Sequence, residues 1–147
     1  MQETSITTTN DLISDVFKKV GCTPDNRGNN AFGVTYRDVY VTIQVNENLH
    51  TLTLYDLHWY KVSEDDIDGM LRVTKEINRI NSFGGIKFVF NKFDDGFYVS
   101  SALTISFIAE IPRLDDYLTN QLNTLLSYRK VFQTEENESQ MNNAKEV

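Results

Sequence analysis

Apolar residues at Leu12, Ile13, Val16, Phe17 and Val20 recur at the spacing of one helical face. They predict an amphipathic helix over Asp11–Val20. Thr9 or Asn10 would cap it, Asp11 would favour its positive end, and Gly21 would stop it. The polar, Thr-rich stretch before it, residues 1–9, reads as a flexible lead-in. The breaker-rich run Thr23–Asn30 reads as a solvated loop.

The period then changes from helical to two. Phe32–Tyr36 reads as a short strand, and Arg37-Asp38 as a tight turn. Neither residue is ideal for a primed hairpin turn. Val39, Val41, Ile43 and Val45 alternate with Tyr40, Thr42 and Gln44, so one face is buried and the other is not. Leu52 and Leu54 alternate with Thr51, Thr53 and Tyr55 in a third strand. Its parity slips afterwards, with Leu57 and Trp59 falling on the Thr/Tyr side. Either a bulge near Asp56 or a strand leaving the sheet accounts for this.

Ser63-Glu64-Asp65-Asp66 has the form of a capping box and opens a second helix. Ile67, Met70, Leu71, Thr74, Ile77, Asn78 and Asn81 lie near its stripe, and Gly84-Gly85 closes it. Ile86, Phe88 and Phe90 alternate along a strand that ends at the turn Asp94-Asp95-Gly96. A last strand runs from Phe97 with Val99, Leu103, Ile105 and Phe107 on one side. Beyond Pro112, Leu114, Leu118, Leu122, Leu125, Arg129 and Phe132 form the stripe of a final helix. The expected fold is therefore α+β in the order α-β-β-β-α-β-β-α, an antiparallel sheet with helices packed on one face. One domain covers residues 10–133, and the polar, acidic residues 134–147 form a disordered tail.

Composition narrows the function. A chain of 147 residues with nine Phe and seven Tyr has ample material for a core. The net charge is −7, of which the tail carries −3, and Lys and Arg form no run. Nucleic acid is not an expected partner. The start carries no secretory signal, and no apolar run approaches a membrane span. With its lone cysteine, Cys22, the chain reads as cytoplasmic.

The common chemistries find no anchor. There is no phosphate loop, no dinucleotide fingerprint and no nucleophile elbow. His50 and His58 lie ~26 Å apart along an extended strand, too far for one metal. Each acidic pair, Asp65-Asp66, Asp94-Asp95 and Asp115-Asp116, sits at a turn or a helix start. No catalytic residue, metal ligand or cofactor is expected.

The informative surface is the polar face of the sheet, with Tyr40, Thr42, Gln44, Thr53, Tyr55, Tyr98 and Ser100. Tyrosine offers apolar area and a hydrogen bond together, which suits an interface. Tyr40, Tyr55, Trp59 and Tyr98 are the candidate partner-binding residues, for a protein partner or a second copy. The bland alternative is a solvated face of ordinary β-formers. Asn78 and Asn81 share a helix face and would tie the helix end to the following loop.

The strand pair around Phe32-Gly33-Val34-Thr35-Tyr36 and Val39-Tyr40-Val41, with the run Leu52-Thr53-Leu54-Tyr55, fits a known pattern. So do the acidic helix start Ser63–Asp66, the helix end Ile77-Asn78-Arg79-Ile80-Asn81, and Asp95-Gly96-Phe97-Tyr98-Val99-Ser100 before a leucine-striped helix. In these the chain resembles the YbjN-like family of small bacterial proteins, often labelled sensory transduction regulators and similar in fold to type III secretion chaperones. The resemblance spans about two-thirds of the chain, and Asp38 stands where such members often have Gly. It implies a chaperone-like fold and a regulatory or protein-binding role, and it carries over no catalytic residue. The expected function is thus a non-enzymatic, chaperone-like or regulatory binding module, able to act as a dimer. The alternatives are a small-ligand sensor and an enzyme with an unfamiliar site.

Overall fold

The computed structural model describes residues 2–82 and 85–132. In chain order it contains α1 (Gln2–Lys19), β1 (Asp25–Gly28), β2 (Ala31–Tyr36), β3 (Val39–Asn46), β4 (Thr51–Val62), α2 (Ile67–Asn81), β5 (Ile86–Phe93), β6 (Gly96–Ser106) and α3 (Leu114–Ser127). The strands form one antiparallel sheet in the order β1-β2-β3-β4-β6-β5.

Period-two burial sets the two faces. Phe32, Val34, Val41, Ile43, Leu52, Leu54, Val99 and Leu103 point to a single core. That core is closed by Ile13, Val16 and Phe17 of α1, Val73, Ile77 and Ile80 of α2, and Leu118, Leu122 and Leu125 of α3. Each such side chain contributes roughly 1.5–3 kcal/mol through burial. The expected α+β architecture is the one observed.

The turn at Arg37-Asp38 is a primed hairpin turn in spite of its residues. Both have positive φ, 50° and 65°, and Tyr36 pairs with Val39 across it. At the same end of the strands, on the other side of β4, the chain turns at Asp94-Asp95, where Phe93 pairs with Gly96. Gly96 has φ of 143°, and a Cβ there would stand 2.8 Å from the Val62 carbonyl oxygen.

Four expectations need correction. The run Thr23–Asn30 is more than a loop, because Asp25–Gly28 forms β1 and pairs with β2. All four β1 residues are exposed, so no alternation marks them, and Asn29 and Asn30 supply the positive-φ turn. Helix α1 begins at Gln2, so the Thr-rich lead-in is helical backbone. No Gly or Pro interrupts residues 2–19, and the modest propensity cost of threonine is a weak opponent. The cap of α2 is Asp66, whose carboxylate accepts from the Gly69 amide at 2.9 Å, and not Ser63. Finally, α3 ends at Ser127, the chain turns at Tyr128-Arg129, and helix resumes at Lys130. The acidic tail lies outside the described residues.

The parity slip in β4 is a bulge within a continuous strand. Asp56 pairs with Ser101 and Tyr60 with Val99, so four steps along β4 match two along β6. His58 takes up the excess with a φ of 53°. Twin serines of β6 hold the bulge: the His58 amide donates to Ser100 Oγ at 2.9 Å, and Trp59 Nε1 donates to Ser101 Oγ at 2.8 Å.

Candidate protein-binding surface

Among the described residues, the helices cover one face of the sheet and leave the other open. Register places Thr42 opposite Tyr55, Gln44 opposite Thr53, and Thr53 opposite Thr104, whose hydroxyls share a hydrogen bond of 2.9 Å. This is the polar, Tyr-bearing face expected from alternation. It also carries exposed apolar side chains. Tyr40, Leu57, Val89 and Phe93 are each 42–45% exposed on it.

Tyr40 is held in place by a glycine. Its ring lies so close over Gly33 that a Cβ there would fall 1.8 Å from the phenol oxygen. The Arg27 guanidinium sits 5.2 Å from the ring centroid on the same side of the sheet. Tyr55 is half-buried in the middle of the face, between Thr42 and Ala102. Tyr98 lies on β6, with β4 between it and Tyr40.

Trp59 does not join these tyrosines. The bulge turns it to the helix-covered face, where its ring stacks on Phe132 at 5.7 Å and meets Phe88 at 5.8 Å. It belongs to an aromatic cluster with Tyr60 and Phe132 that closes the edge of the core. The same two extra residues put His58 on the open face instead. Its ring contacts Phe93 at 4.7 Å and Tyr98 at 5.8 Å, both edge to face, and Phe93 meets Tyr98 at 5.4 Å. Sequence alternation assigned neither His58 nor Phe93 to the patch. The parity break at Asp56 was the available signal: the strand keeps its parity on both sides of the two extra residues, and only inside the bulge, at His58 and Trp59, does strict alternation fail.

Beside these rings lies a polar cluster. Tyr98 Oη donates to Asp95 Oδ2 at 2.7 Å, and Lys61 Nζ reaches the same oxygen at 3.2 Å. The Tyr98 hydrogen bond, then the one from Lys61, holds the Asp95 carboxyl below the ordinary aspartate range. The bond to Asp95 pushes Tyr98 up and raises Lys61 further above neutrality. His58, Phe93, Asp95 and Tyr98 line an open groove of about 320 Å³. A second groove of about 360 Å³ lies against Phe93, lined also by Glu64, Lys92 and Asp94.

Strand β5 is an edge of the sheet, and Asn81 covers part of it. The Asn81 side chain donates from Nδ2 to the Phe88 carbonyl at 3.1 Å and accepts from the Phe88 amide at 2.7 Å. A side-chain amide thus stands in for a neighbouring strand at one residue. The expected tie from helix end to following segment is made by Asn81, with Phe88 as its partner.

Cys22 is buried, and burial pushes its thiol up, away from the thiolate form. Among the described residues, no group of three or more His, Cys, Asp or Glu is placed to hold a metal ion. No helix among them is long and apolar enough to cross a membrane.

No protein-family model and no curated protein matches the chain in sequence. Solved structures do match in fold. YbjN from E. coli, described as a candidate transcription regulator, aligns with a TM-score of 0.56 at 12% identity, over 81% of this chain and 86% of that one. A chain of the HopA1–SchA chaperone–effector complex aligns at 0.55 and 11% identity, over 83% and 90%. A chain of the ExsC–ExsE complex aligns at 0.55 and 19% identity, over 87% and 92%. The expected likeness to YbjN and to a chaperone-like fold is therefore found at the level of the fold, across most of the chain.

Proposed function

We propose that the protein is a non-enzymatic, chaperone-like or regulatory module of the bacterial cytoplasm that binds a protein partner across the open face of its sheet. The observation that carries this is the open face itself, where Tyr40, Leu57, Val89 and Phe93 stay exposed on a rigid sheet with Tyr55 and Tyr98 among them. Exposed apolar side chains gathered on one face mark an association surface more often than scattered ones do. Two of the fold neighbours come from protein complexes, one of them a chaperone with its effector. The acidic charge favours protein over nucleic acid as the partner. A second copy of the chain using the same face would give a homodimer.

The test places a photo-crosslinking amino acid at Val89 on the open face and, as control, at Lys75, which is exposed on α2. The Val89 probe is expected to give a discrete adduct in cells that the Lys75 probe does not. Its mass separates a second copy from a different protein. No adduct at Val89, or the same adducts from both positions, would overturn the reading.

A further inference from the structure

We infer that the groove between His58, Phe93, Asp95 and Tyr98 receives an arginine side chain of the segment that docks on the open face. This rests on the protein-binding reading above and names the chemistry of its partner.

The groove combines two features that a guanidinium uses. Three rings in mutual edge-to-face contact line the groove, and the face of one of them, Tyr98, already meets a cation. Asp95 adds a carboxylate at the rim, held ionised by its hydrogen bonds. Both of those bonds, from Tyr98 and Lys61, go to Oδ2, so Oδ1 carries neither of them. A planar guanidinium lies on a ring and donates to a carboxylate at once, which an ammonium does less well.

The protein already fills this role in part with its own cation. Lys61 Nζ sits 5.9 Å from the Tyr98 ring centroid while it pairs with Asp95. The Lys61 side chain is 48% exposed, so the pair is of the weak, solvent-screened kind. Lys61 is thus a resident competitor that a partner's arginine displaces. Charge complementarity points the same way. Glu64, Asp94 and Asp95 border the two grooves that meet at Phe93. Lys92 pairs with Glu64 at 3.2 Å, which leaves Asp94 and Asp95 as the acids beside the rings, and the chain as a whole carries −7. The exposed apolar neighbours Leu57 and Val89 call for apolar residues beside that arginine.

The experiment is a titration of the full chain with acetyl-Leu-Arg-Leu amide and acetyl-Leu-Gln-Leu amide, followed by NMR on the His58, Phe93 and Tyr98 ring signals. The arginine peptide is expected to shift them and to bind about two- to fivefold more tightly than the glutamine peptide. Asp95→Asn should reduce that preference to what the rings alone supply, and Lys61→Gln should enlarge it. Amide spectra of both variants check that they fold. Equal shifts from both peptides would overturn arginine recognition while leaving a protein-binding face in place. Absence of shifts at all three rings would overturn the groove as a docking site, and the crosslinking at Val89 would then judge the wider reading by itself.

Discussion

Asp56 and Arg129, 73 residues apart, meet in a two-pronged ion pair with both contacts at 2.6 Å. The Asp56 side chain is 1% exposed and that of Arg129 is 30% exposed, so the carboxylate is buried and its guanidinium reaches in from the rim. The pair pins the turn after α3 to the bulge of β4, and the bond to Asp56 raises the Arg129 pKa further. Removing the cation alone leaves a buried charge unmatched. Arg129→Met is expected to cost about 3–5 kcal/mol in urea unfolding. The double variant Asp56→Leu/Arg129→Met should be more stable than Arg129→Met alone. If the double is the less stable of the two, the pair is not what makes the single change costly.

Asn81 acts on the open edge of β5. Asn81→Ala removes the two hydrogen bonds to Phe88 and is expected to cost about 1–3 kcal/mol. The Phe88 amide should then exchange with deuterium faster than the Val99 amide on β6. Unchanged protection at Phe88 would mean that something other than Asn81 shields the edge.

Gly33 and Tyr40 should be energetically coupled. A methyl group at Gly33 collides with the phenol of Tyr40, so Gly33→Ala is expected to cost about 1–3 kcal/mol through a displaced ring. In a Tyr40→Ala background the same change should cost much less. Additive costs in the double-mutant cycle would show that the ring does not rest on the glycine.

The Asp95 cluster predicts a pH effect of definite sign. Its folded-state pKa lies below the unfolded value, with the Tyr98 hydrogen bond as the main cause. The stabilisation is therefore present above the unfolded pKa of ~3.9 and is lost as pH falls through the lower folded value. Carboxyl NMR of Asp95 should show the depressed pKa, and Tyr98→Phe should move it back up. A pKa that does not respond to Tyr98→Phe would leave Lys61 as its sole cause.

Much of the architecture was legible in the sequence because its determinants are local. Val41, Ile43 and Val45 against Tyr40, Thr42 and Gln44 state a strand and its two faces without reference to the rest of the chain. Leu118, Leu122 and Leu125 do the same for a helix. The open face was legible for the same reason, and Tyr40, Tyr55 and Tyr98 stand on it. Strand β1 was not, since four exposed polar residues take their conformation from pairing with β2 and not from their own pattern.

By itself, then, the amino-acid sequence determined the order of the helices and of every strand but β1, the polar aromatic face, and the hairpin turns at Arg37-Asp38 and Asp94-Asp95, all properties of residues within a few positions of each other. Tertiary structure alone decided which side chains gather on that face and what holds it together. A two-residue bulge at Asp56–Tyr60 exchanged Trp59 for His58. Register across strands set Tyr40 on Gly33, and the path of α3 brought Arg129 to Asp56. These depend on contacts between distant segments, whose alignment no local period encodes.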